Sequence, residues 1–433
     1  MSPGARRLTL ALLATMYGFG FIDRIVIALV AQQIKADFAI SDFDIGLLGG
    51  TAFAVVNTFA SVPLARLAER APRKWVAAGS LLVASASTTL CGATTSFGQL
   101  LVLRLGMAGG SAGTEAPPHS MISDMYPPAR RASAISMFML GVPIASLIGS
   151  SLGGTIAQLY GWRATFLIIG GLGLAVSLAA MVAAREPERG PAEGVAHSGS
   201  VRGVMGVLLR DPSLRQILIG VSVISLGSFG MNTFLPAFFA RNYGMGPGSA
   251  GLAFGLLSGF ASLIGTFLGG YGSEYLARRD PRWLVAVPGI GAIVGAPLFV
   301  AGLMQASLVA AFPLMLAGSL FFYMAMGPAI ACVHGALDSR SRATGSALFL
   351  LVMHLVGQGL GPPIAGWISD AVSAAAFGAP DFARVCAGAA GQVPGSACAV
   401  AGATGVRWAI ACFGVFYLWS GLHLLWAARL RRA

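Results

Sequence analysis

Residues 8–30 read LTLALLATMYGFGFIDRIVIALV, an apolar run that carries two adjacent charges, Asp23 and Arg24. A helix of about 20 apolar residues crosses the ~30 Å hydrocarbon core of a bilayer. A charged side chain at the centre of such a helix costs roughly 2.5–3.5 kcal/mol on insertion scales, so charges there usually face a water-filled cavity or pair with opposite charges. The stretch therefore predicts a first membrane-spanning helix that lines an ion or substrate path.

The composition extends this prediction to the whole chain. Of its 433 residues, 56% are hydrophobic and 10% are charged, whereas soluble domains carry about 25% charged residues. Twelve apolar runs are long enough to cross a membrane, and they cover residues 8–30, 45–66, 75–95, 98–120, 132–157, 163–184, 213–237, 248–276, 283–304, 308–332, 343–370 and 406–428. We therefore predict an all-α membrane protein with twelve transmembrane helices.

One long polar connection divides these spans into two sets of six. It contains prolines, glycines and serines, and it predicts an N-terminal six-helix bundle (1–184), a cytoplasmic linker (185–212) and a C-terminal six-helix bundle (213–433). The halves repeat weakly at an offset of 212 residues, which pairs Arg130 with Arg342, Gly149 with Gly361 and Gly154 with Gly366. Duplicated halves with a site between them are typical of secondary transporters. We expect the glycine-rich fifth and eleventh spans to form the surface on which the halves rock.

The cationic residues predict the orientation of the chain. With the N-terminus in the cytoplasm, most Lys and Arg residues fall on the cytoplasmic side, as the positive-inside rule requires. The opposite side holds Lys35, Arg163, Arg241, Arg384 and Arg407. The net charge of +12 is then explained by topology and by the lipid surface, and no nucleic-acid partner is expected. We predict a monomeric multi-pass protein of the cell (inner) membrane, with both termini in the cytoplasm and the lipid bilayer as its surroundings.

The loop between the second and third spans reads ARLAERAPRK, residues 65–74. It resembles the G-x-L-a-D-r-x-G-r-r signature of the major facilitator superfamily, with Ala and Pro in place of the two glycines. A degenerate second copy lies between the eighth and ninth spans, from Gly270 onward. The resemblance implies the twelve-helix major facilitator fold and a charge network that holds one conformation of alternating access. The conformational-gate residues it implies are Glu69, Arg70, Arg73, Glu274 and Arg278. The alternative is that these arginines serve only as topology signals.

A finer resemblance, to the spinster family, covers most of the chain. It rests on FIDR (21–24), DIGLLGG (44–50), HSMISDMYPPARR (119–131), LGVP (140–143) and RDPRW (279–283). That family includes exporters of lysophospholipid-like and sphingosine-phosphate-like lipids, and its bacterial members are thought to be proton-coupled. Its first span carries an Asp-Arg pair, and its fourth carries an Arg followed seven residues later by a Glu. Arg104 matches that Arg, but Ser111 stands where the Glu is expected, and Glu115 lies one turn deeper.

Span geometry places these charges together independently of the family. Asp23 and Arg104 each lie about seven residues, or ~10 Å at 1.5 Å per residue, from the same end of their spans. Because an unpaired charge within a membrane span has a high free-energy cost, we expect an ion pair across the first and fourth spans. Arg104, Ser111, Glu115 and His119 share one face of the fourth span at offsets of 7, 4 and 4 residues, which gives a polar stripe.

We assign roles to this cluster as hypotheses. Asp23 is the first choice for the proton-carrying carboxylate, because burial favours its neutral form whereas neighbouring arginines favour the charged form, and Glu115 is the second. Arg24 and Arg104 are suited to bind a phosphate or carboxylate head group through bidentate hydrogen bonds. The alternatives are a fixed salt bridge that locks the first and fourth spans, a Glu115 that pairs with arginines at the cytoplasmic mouth, and a His119 that serves only packing.

The second half has no charged residue in the middle of a span, and its spans are rich in Phe, Leu and Met. An ionic first half facing an apolar second half suits an amphipathic anion better than a sugar. Beyond the two arginines, the substrate-binding candidates are polar residues within spans, for which helix packing is the alternative role: Ser111, His119, Asn57, Asn232, Tyr323, His354 and Gln358.

These observations predict a secondary active transporter, a symporter or antiporter, that moves a small amphipathic or organic anion of lysolipid-like character by alternating access with proton coupling. The alternatives are a proton-coupled importer of organic acids or sugar acids and, in a different class, a membrane scaffold or receptor that does not transport. The sequence has no Walker loop and no zinc-like cysteine spacing, so we expect neither an enzyme nor a cofactor or metal, with protons as the coupling ion. Cys386 and Cys398 share one loop and either form a disulfide or remain free.

Overall fold

The computed structural model describes residues 1–188, 201–337, 341–378, 382–386 and 393–431, and within these ranges the regular structure is entirely helical. Part of the predicted linker, residues 189–200, therefore lies outside the description. The helices are α1 (Pro3–Phe38), α2 (Asp42–Gly49), α3 (Thr51–Arg70), α4 (Arg73–Cys91), α5 (Phe97–Ser111), α6 (Ala116–Met125), α7 (Pro128–Met139), α8 (Gly141–Ala183), α9 (Val201–Arg210), α10 (Pro212–Tyr243), α11 (Pro247–Gly255), α12 (Ala261–Ala277), α13 (Trp283–Leu303), α14 (Leu308–Phe322), α15 (Met326–Ala336), α16 (Arg342–Phe377), α17 (Phe382–Val385) and α18 (Ala397–Leu430).

The predicted twelve spans are present. Among the described residues, nine helical segments are long and apolar enough to cross a membrane, and the segment Ser133–Ala183 is 51 residues long. That segment contains two spans, because its backbone leaves the helical conformation at Gly161 (φ 81°, ψ 172°), where the positive φ suits glycine. The more polar α4 and the α5–α6 pair pack against their neighbours and complete the set.

Several spans that the sequence predicted as continuous are interrupted or distorted. The second span is interrupted at Gly50, whose backbone is not helical; glycine suits this position because a Cβ there would lie 2.7 Å from the carbonyl oxygen of Gln358. The fourth span is interrupted between Ser111 and Ala116, just before a Pro-Pro pair whose missing N–H groups cannot continue a helical ladder. The eighth span contains a π-helical turn, Leu256–Phe260. Hydropathy does not reveal such breaks, because the broken segments remain apolar.

The spans pack in two groups. In the first, α8 lies against α1, α4 and α7; in the second, α10 lies against α16 and α18, and α13 against α14 and α18. The linker contains a helix that the sequence analysis did not predict, α9, which buries Val204 and Leu208 and packs against α10 and α16. The two groups meet along α8 with α11, and along α2 and α3 with α16.

We call the end of the bundle that carries the start of α1 and the end of α18 the terminal end, and the opposite end, where α1 gives way to α2, the far end. Close contacts between the groups lie toward the far end. A Cβ on Gly154 of α8 would lie 2.3 Å from the carbonyl oxygen of Pro247, and a Cβ on Gly366 of α16 would lie 2.3 Å from that of Asp42. Glycine therefore lets the helix backbones touch. Gly154 and Gly366 are one of the pairs that the 212-residue repeat predicts.

Both seams end near the middle of the bundle. Among the described glycines, the last contacts between the groups toward the terminal end are a close approach of Gly259 to the Pro143 carbonyl and an ordinary van der Waals contact of Gly359 with Ala54. The groups are thus sealed together over the far half of their length. A disulfide joins Cys386 and Cys398 beside Phe377 and Phe382 at the same end, which resolves the alternative that the sequence left open.

Candidate functional site

The centre of the first group holds a buried pair of opposite charges. Asp23 on α1 is 0% exposed and Arg104 on α5 is 1% exposed. Arg104 Nη1 donates a 2.8 Å hydrogen bond to the backbone carbonyl of Asp23. The sequence predicted instead an ion pair between the Arg104 guanidinium and the Asp23 carboxylate. The carbonyl is available because its oxygen has a second lone pair beyond the one used in the helix.

The Asp23 carboxylate is consequently left without a hydrogen bond. Neither of its oxygens has a partner among the described residues, and the same is true of Arg104 Nε and Nη2. The Thr88 side chain faces this carboxylate, but its hydroxyl likewise makes no hydrogen bond with any residue that the structure describes. An ionised carboxylate at this position has no hydrogen bond to offset the cost of its desolvation.

Arg24 forms the second charge pair of the site. Its Nη2 lies 3.2 Å from Glu115 Oε1, and the two side chains are 16% and 38% exposed. The guanidinium also lies over the Phe53 ring, 4.9 Å from its centroid. Glu115 is placed here by the break in the fourth span, since it is the residue immediately before α6. Of the two candidate anion-binding arginines, Arg24 is therefore the accessible one, and Arg104 is buried.

Ser111 is buried and hydrogen-bonded to its neighbours. It is 0% exposed, its hydroxyl donates to the carbonyl of Ala108 at 3.1 Å, and it accepts a 3.1 Å hydrogen bond from Asn57 Nδ2. Asn57 Nδ2 also donates to the Ala108 carbonyl. Ser111 and Asn57 thus fasten α3 to α5, which is the packing role that the sequence analysis held as the alternative.

His119 completes the predicted polar stripe from a partly buried position. Its Nδ1 lies 2.8 Å from the carbonyl oxygen of Glu115, and since a carbonyl only accepts, Nδ1 carries the proton. The ring meets Phe138 edge-on at 5.0 Å between centroids. His119 therefore supports the turn that carries Glu115.

The second-half candidates lie on α10, on α16 and, for Tyr323, in the turn that follows α14. Asn232 Nδ2 on α10 donates to the Tyr323 hydroxyl at 3.3 Å. The His354 ring on α16 meets Phe229 at 5.9 Å and is near enough to Glu115 for their charges to interact. Gln358 is 5% exposed. His354 is thus the second-half candidate that the structure brings to the charge cluster.

The predicted gate residues differ in their exposure, since one is buried and four are exposed. Arg73 is 4% exposed and ties together its own half: it binds Asp124, Ser120 at 2.9 Å and Glu186 at 2.9 Å. The other four, Glu69, Arg70, Glu274 and Arg278, are exposed. Their role in gating stays a prediction.

A second charge network, which the sequence did not predict, lies at the far end. Asp42 on α2 meets Lys35 of α1 at 2.6 Å and Arg241 of α10 at 2.7 Å, and it accepts a hydrogen bond from Ser369 of α16. From the sequence, Lys35 and Arg241 were predicted only to be part of the charge distribution that sets the topology. The sequence did contain a signal for the helix that carries Asp42. In Ser41-Asp-Phe-Asp44, a Ser followed three residues later by an acid marks a helix start, and the structure has this capping box at the start of α2.

Comparison with known proteins identifies the family. Residues 10–362 match the family model of the Major Facilitator Superfamily. The chain belongs to the Major Facilitator Superfamily. Within it, the chain is 30% identical over 364 residues to an MFS-type efflux pump of Mycolicibacterium smegmatis, with 84% of each chain covered. It is 26% identical over 396 residues to human protein spinster homolog 1, covering 86% of this chain and 74% of that protein.

Solved structures agree with this membership. A bacterial homolog of the human lysosomal transporter spinster, in an inward-facing and unoccupied conformation, matches with a TM-score of 0.89 and 28% identity over 99% of this chain and 98% of that one. Its inward-facing and occupied form matches with a TM-score of 0.88 and 29% identity, over 100% and 98%. The chain is therefore a spinster-like membrane transporter, as its sequence predicts.

Proposed function

We propose that this spinster-like transporter moves a small amphipathic or organic anion of lysolipid-like character by alternating access, driven by coupling to protons. The observation that carries the proposal is the charge cluster of the first half. Asp23 lies buried, and its carboxylate has no hydrogen-bond partner in the described part of the chain; the partly exposed Arg24 beside it is held by Glu115. Charges in this position are expensive and usually mark transport paths.

Substrate recognition would begin at Arg24. A guanidinium is suited to bidentate binding of phosphate or carboxylate, and Glu115 would be exchanged for the anionic head group of the substrate. Apolar side chains lie next to this position, including Phe53 under Arg24 and Phe229 beside His354. One relative, 24% identical over 369 residues, is a frog sphingosine-1-phosphate transporter. Its substrate is an amphipathic anion, which supports the same class here.

Proton coupling would use the carboxylates of this cluster. Asp23 is close enough to Arg24 and Arg104 for their charges to interact, so a change in its protonation would alter how Arg24 is shared between Glu115 and substrate. Glu115 is the second proton-site candidate because it already competes for the same guanidinium.

The distribution of the cationic residues supports the orientation in this proposal. By the positive-inside rule, the terminal end would lie in the cytoplasm of a cell whose inner membrane the protein spans. The conformation described above, sealed along the far half, is then closed to the outside. The inward-facing state of the spinster homolog with a TM-score of 0.89 supports this reading.

A thermal-unfolding screen of the purified transporter tests the proposal. We expect a single-chain lysolipid phosphate to raise the midpoint of unfolding in a concentration-dependent manner, because a ligand that binds the folded state stabilises it. A fatty acid should raise the midpoint less and a sugar acid should not change it. Arg24→Gln should lose most of the lysolipid response.

A neutral monoacylglycerol of equal chain length is the control for detergent-like effects. A response to sugar acids in place of lysolipids would replace the proposal with the organic-acid or sugar-acid importer. If no anion of any class shifts the midpoint, and none is moved in liposomes, the non-transporting scaffold is favoured.

A further inference from the structure

The far-end network of charges spans both halves of the transporter. Asp42 belongs to α2 in the first half, whereas Arg241 on α10 and Ser369 on α16 belong to the second. Both terminal nitrogens of Arg241 bind the Asp42 carboxylate at 2.7 Å. The Ser369 hydroxyl donates to it at 2.7 Å, and Lys35 of α1 donates at 2.6 Å.

These four hydrogen bonds use the full capacity of the Asp42 carboxylate, which has about four acceptor sites. The group is 1% exposed. Charge-assisted and bidentate bonds of this kind are roughly twice as strong as neutral ones. Arg241 is fixed further by donation from Nε to Gln32 Oε1 at 2.8 Å. Asp42 is therefore held by both halves at once.

Asp370 forms a second bridge between the halves, in which the accepting carboxylate belongs to the second half and the donors belong to the first. Its carboxylate, on α16, accepts hydrogen bonds from the backbone N–H groups of Asp42 at 3.0 Å and Phe43 at 2.8 Å. These are free N–H groups of the first turn of α2, where the helix dipole favours a negative charge. Asp370 thus caps a helix of the other half. With Lys35, Arg241, Asp42 and Asp370 ionised, the charges of the network sum to zero.

We propose that Asp42, Arg241, Ser369 and Asp370 form a latch that closes the far end of the transporter and that must break and re-form in every transport cycle. Alternating access requires the far end to open, and apart from the bond from Lys35, which lies within the first half, the bonds just described cross the plane along which it would part. The latch rests on the alternating access of the proposed function, but on neither its substrate nor its coupling ion, so the spin-label distances test it separately from ligand binding.

Electron paramagnetic resonance distances between two spin labels test the latch. Ala93 and Ala306 are exposed residues in far-end loops of the first and second halves. Cysteines placed at these two positions would carry the labels, in a background where the free cysteines Cys91, Cys332 and Cys412 are replaced by alanine. The unmodified latch should give one predominant short distance.

Asp42→Asn should add a longer distance and lower the ratio of closed to open molecules about tenfold or more, because it removes charge-assisted bonds and leaves two cations facing each other. Ser369→Ala should shift the ratio less. Asp42→Asn and Arg241→Gln together should shift it by less than the sum of the single changes, since partners in one network are not additive.

Asp37→Asn is the matched control. Asp37 pairs with Arg163 and accepts a hydrogen bond from Trp162 at the same end, but all three belong to the first half. Its distance distribution should equal that of the parent. If Asp42→Asn gives the parent distribution, the latch is refuted. If Asp42→Asn does not fold, Asp370→Asn replaces it, and an unchanged distribution there overturns the proposal equally.

Discussion

Asp23 and Glu115 are both carboxylates of the first half, and their surroundings differ in a way that assigns them different tasks. Glu115 is paired with Arg24 and 38% exposed at its side chain. Asp23 is fully buried, and its oxygens have no partner among the described residues. Under the proposed proton coupling, the buried Asp23 is the carboxylate that would gain and lose the proton, because burial favours its neutral form whereas neighbouring arginines favour the charged form. Glu115 is better placed to compete with an anionic substrate.

Substrate affinity should therefore respond to Glu115. In Glu115→Gln the competitor for Arg24 is removed, so we expect the anionic amphiphile to bind about twofold to fivefold more tightly, the range that a partly exposed ion pair supports. The midpoint of a ligand titration followed by thermal unfolding measures this change.

Ser111→Ala is the control, because Ser111 contacts Asn57 and its own helix and not Arg24. It should leave the titration midpoint unchanged. Weaker binding by Glu115→Gln would mean that the carboxylate itself contacts the substrate, and the competition described here would then be wrong.

At the level of helices, the contact between the halves depends on glycine. The seam of α8 with α11 is as close as the seam of α2 with α16, and in each a glycine meets a backbone carbonyl of the other half. Such small-residue contacts let helices pack closely within a membrane. A side chain added at one of these glycines has to push the halves apart at the far end.

Gly154→Ala is expected to open that seam, because its Cβ would lie 2.3 Å from the Pro247 carbonyl oxygen. The spin-label pair at Ala93 and Ala306 should then report a larger open fraction. Gly171→Ala is the matched control in the same helix, α8, since a Cβ at Gly171 meets nothing within 4 Å. It should leave the distances unchanged and stabilise the helix slightly. Equal behaviour of the two variants would exclude the seam as the closing surface.

Over the whole molecule, hydropathy and charge were enough to predict the fold. Twelve apolar runs predicted twelve spans, since a membrane leaves few alternatives to helices, and the long polar connection with the weak repeat predicted two halves. The loop at residues 65–74 predicted the superfamily. The breaks within spans and the helix α9 were missed, because they depend on contacts between helices and not on the hydropathy of a segment.

The sequence predicted which residues gather at the candidate site better than it predicted which of them bind each other. Asp23, Arg24, Arg104 and Glu115 do gather in the first half, as their depth in the spans predicted. Sequence spacing gives depth along a helix but not the direction of a long side chain. For this reason it predicted a pair between Arg104 and the Asp23 carboxylate, whereas Arg104 binds the Asp23 backbone. The latch at Asp42 was missed because its partners lie 199 and 327 positions away in the chain.

The most direct test of proton-coupled transport is the flux of a labelled lysolipid phosphate into liposomes that contain the purified transporter, measured across a series of pH gradients. The parent protein should show a flux that rises steeply with the gradient. Asp23→Asn, which keeps the size of the side chain but cannot ionise, should retain ligand binding and show a flux that no longer depends on the gradient. A flux in Asp23→Asn that is as steep in pH as that of the parent would contradict the assignment of Asp23 as the coupling site.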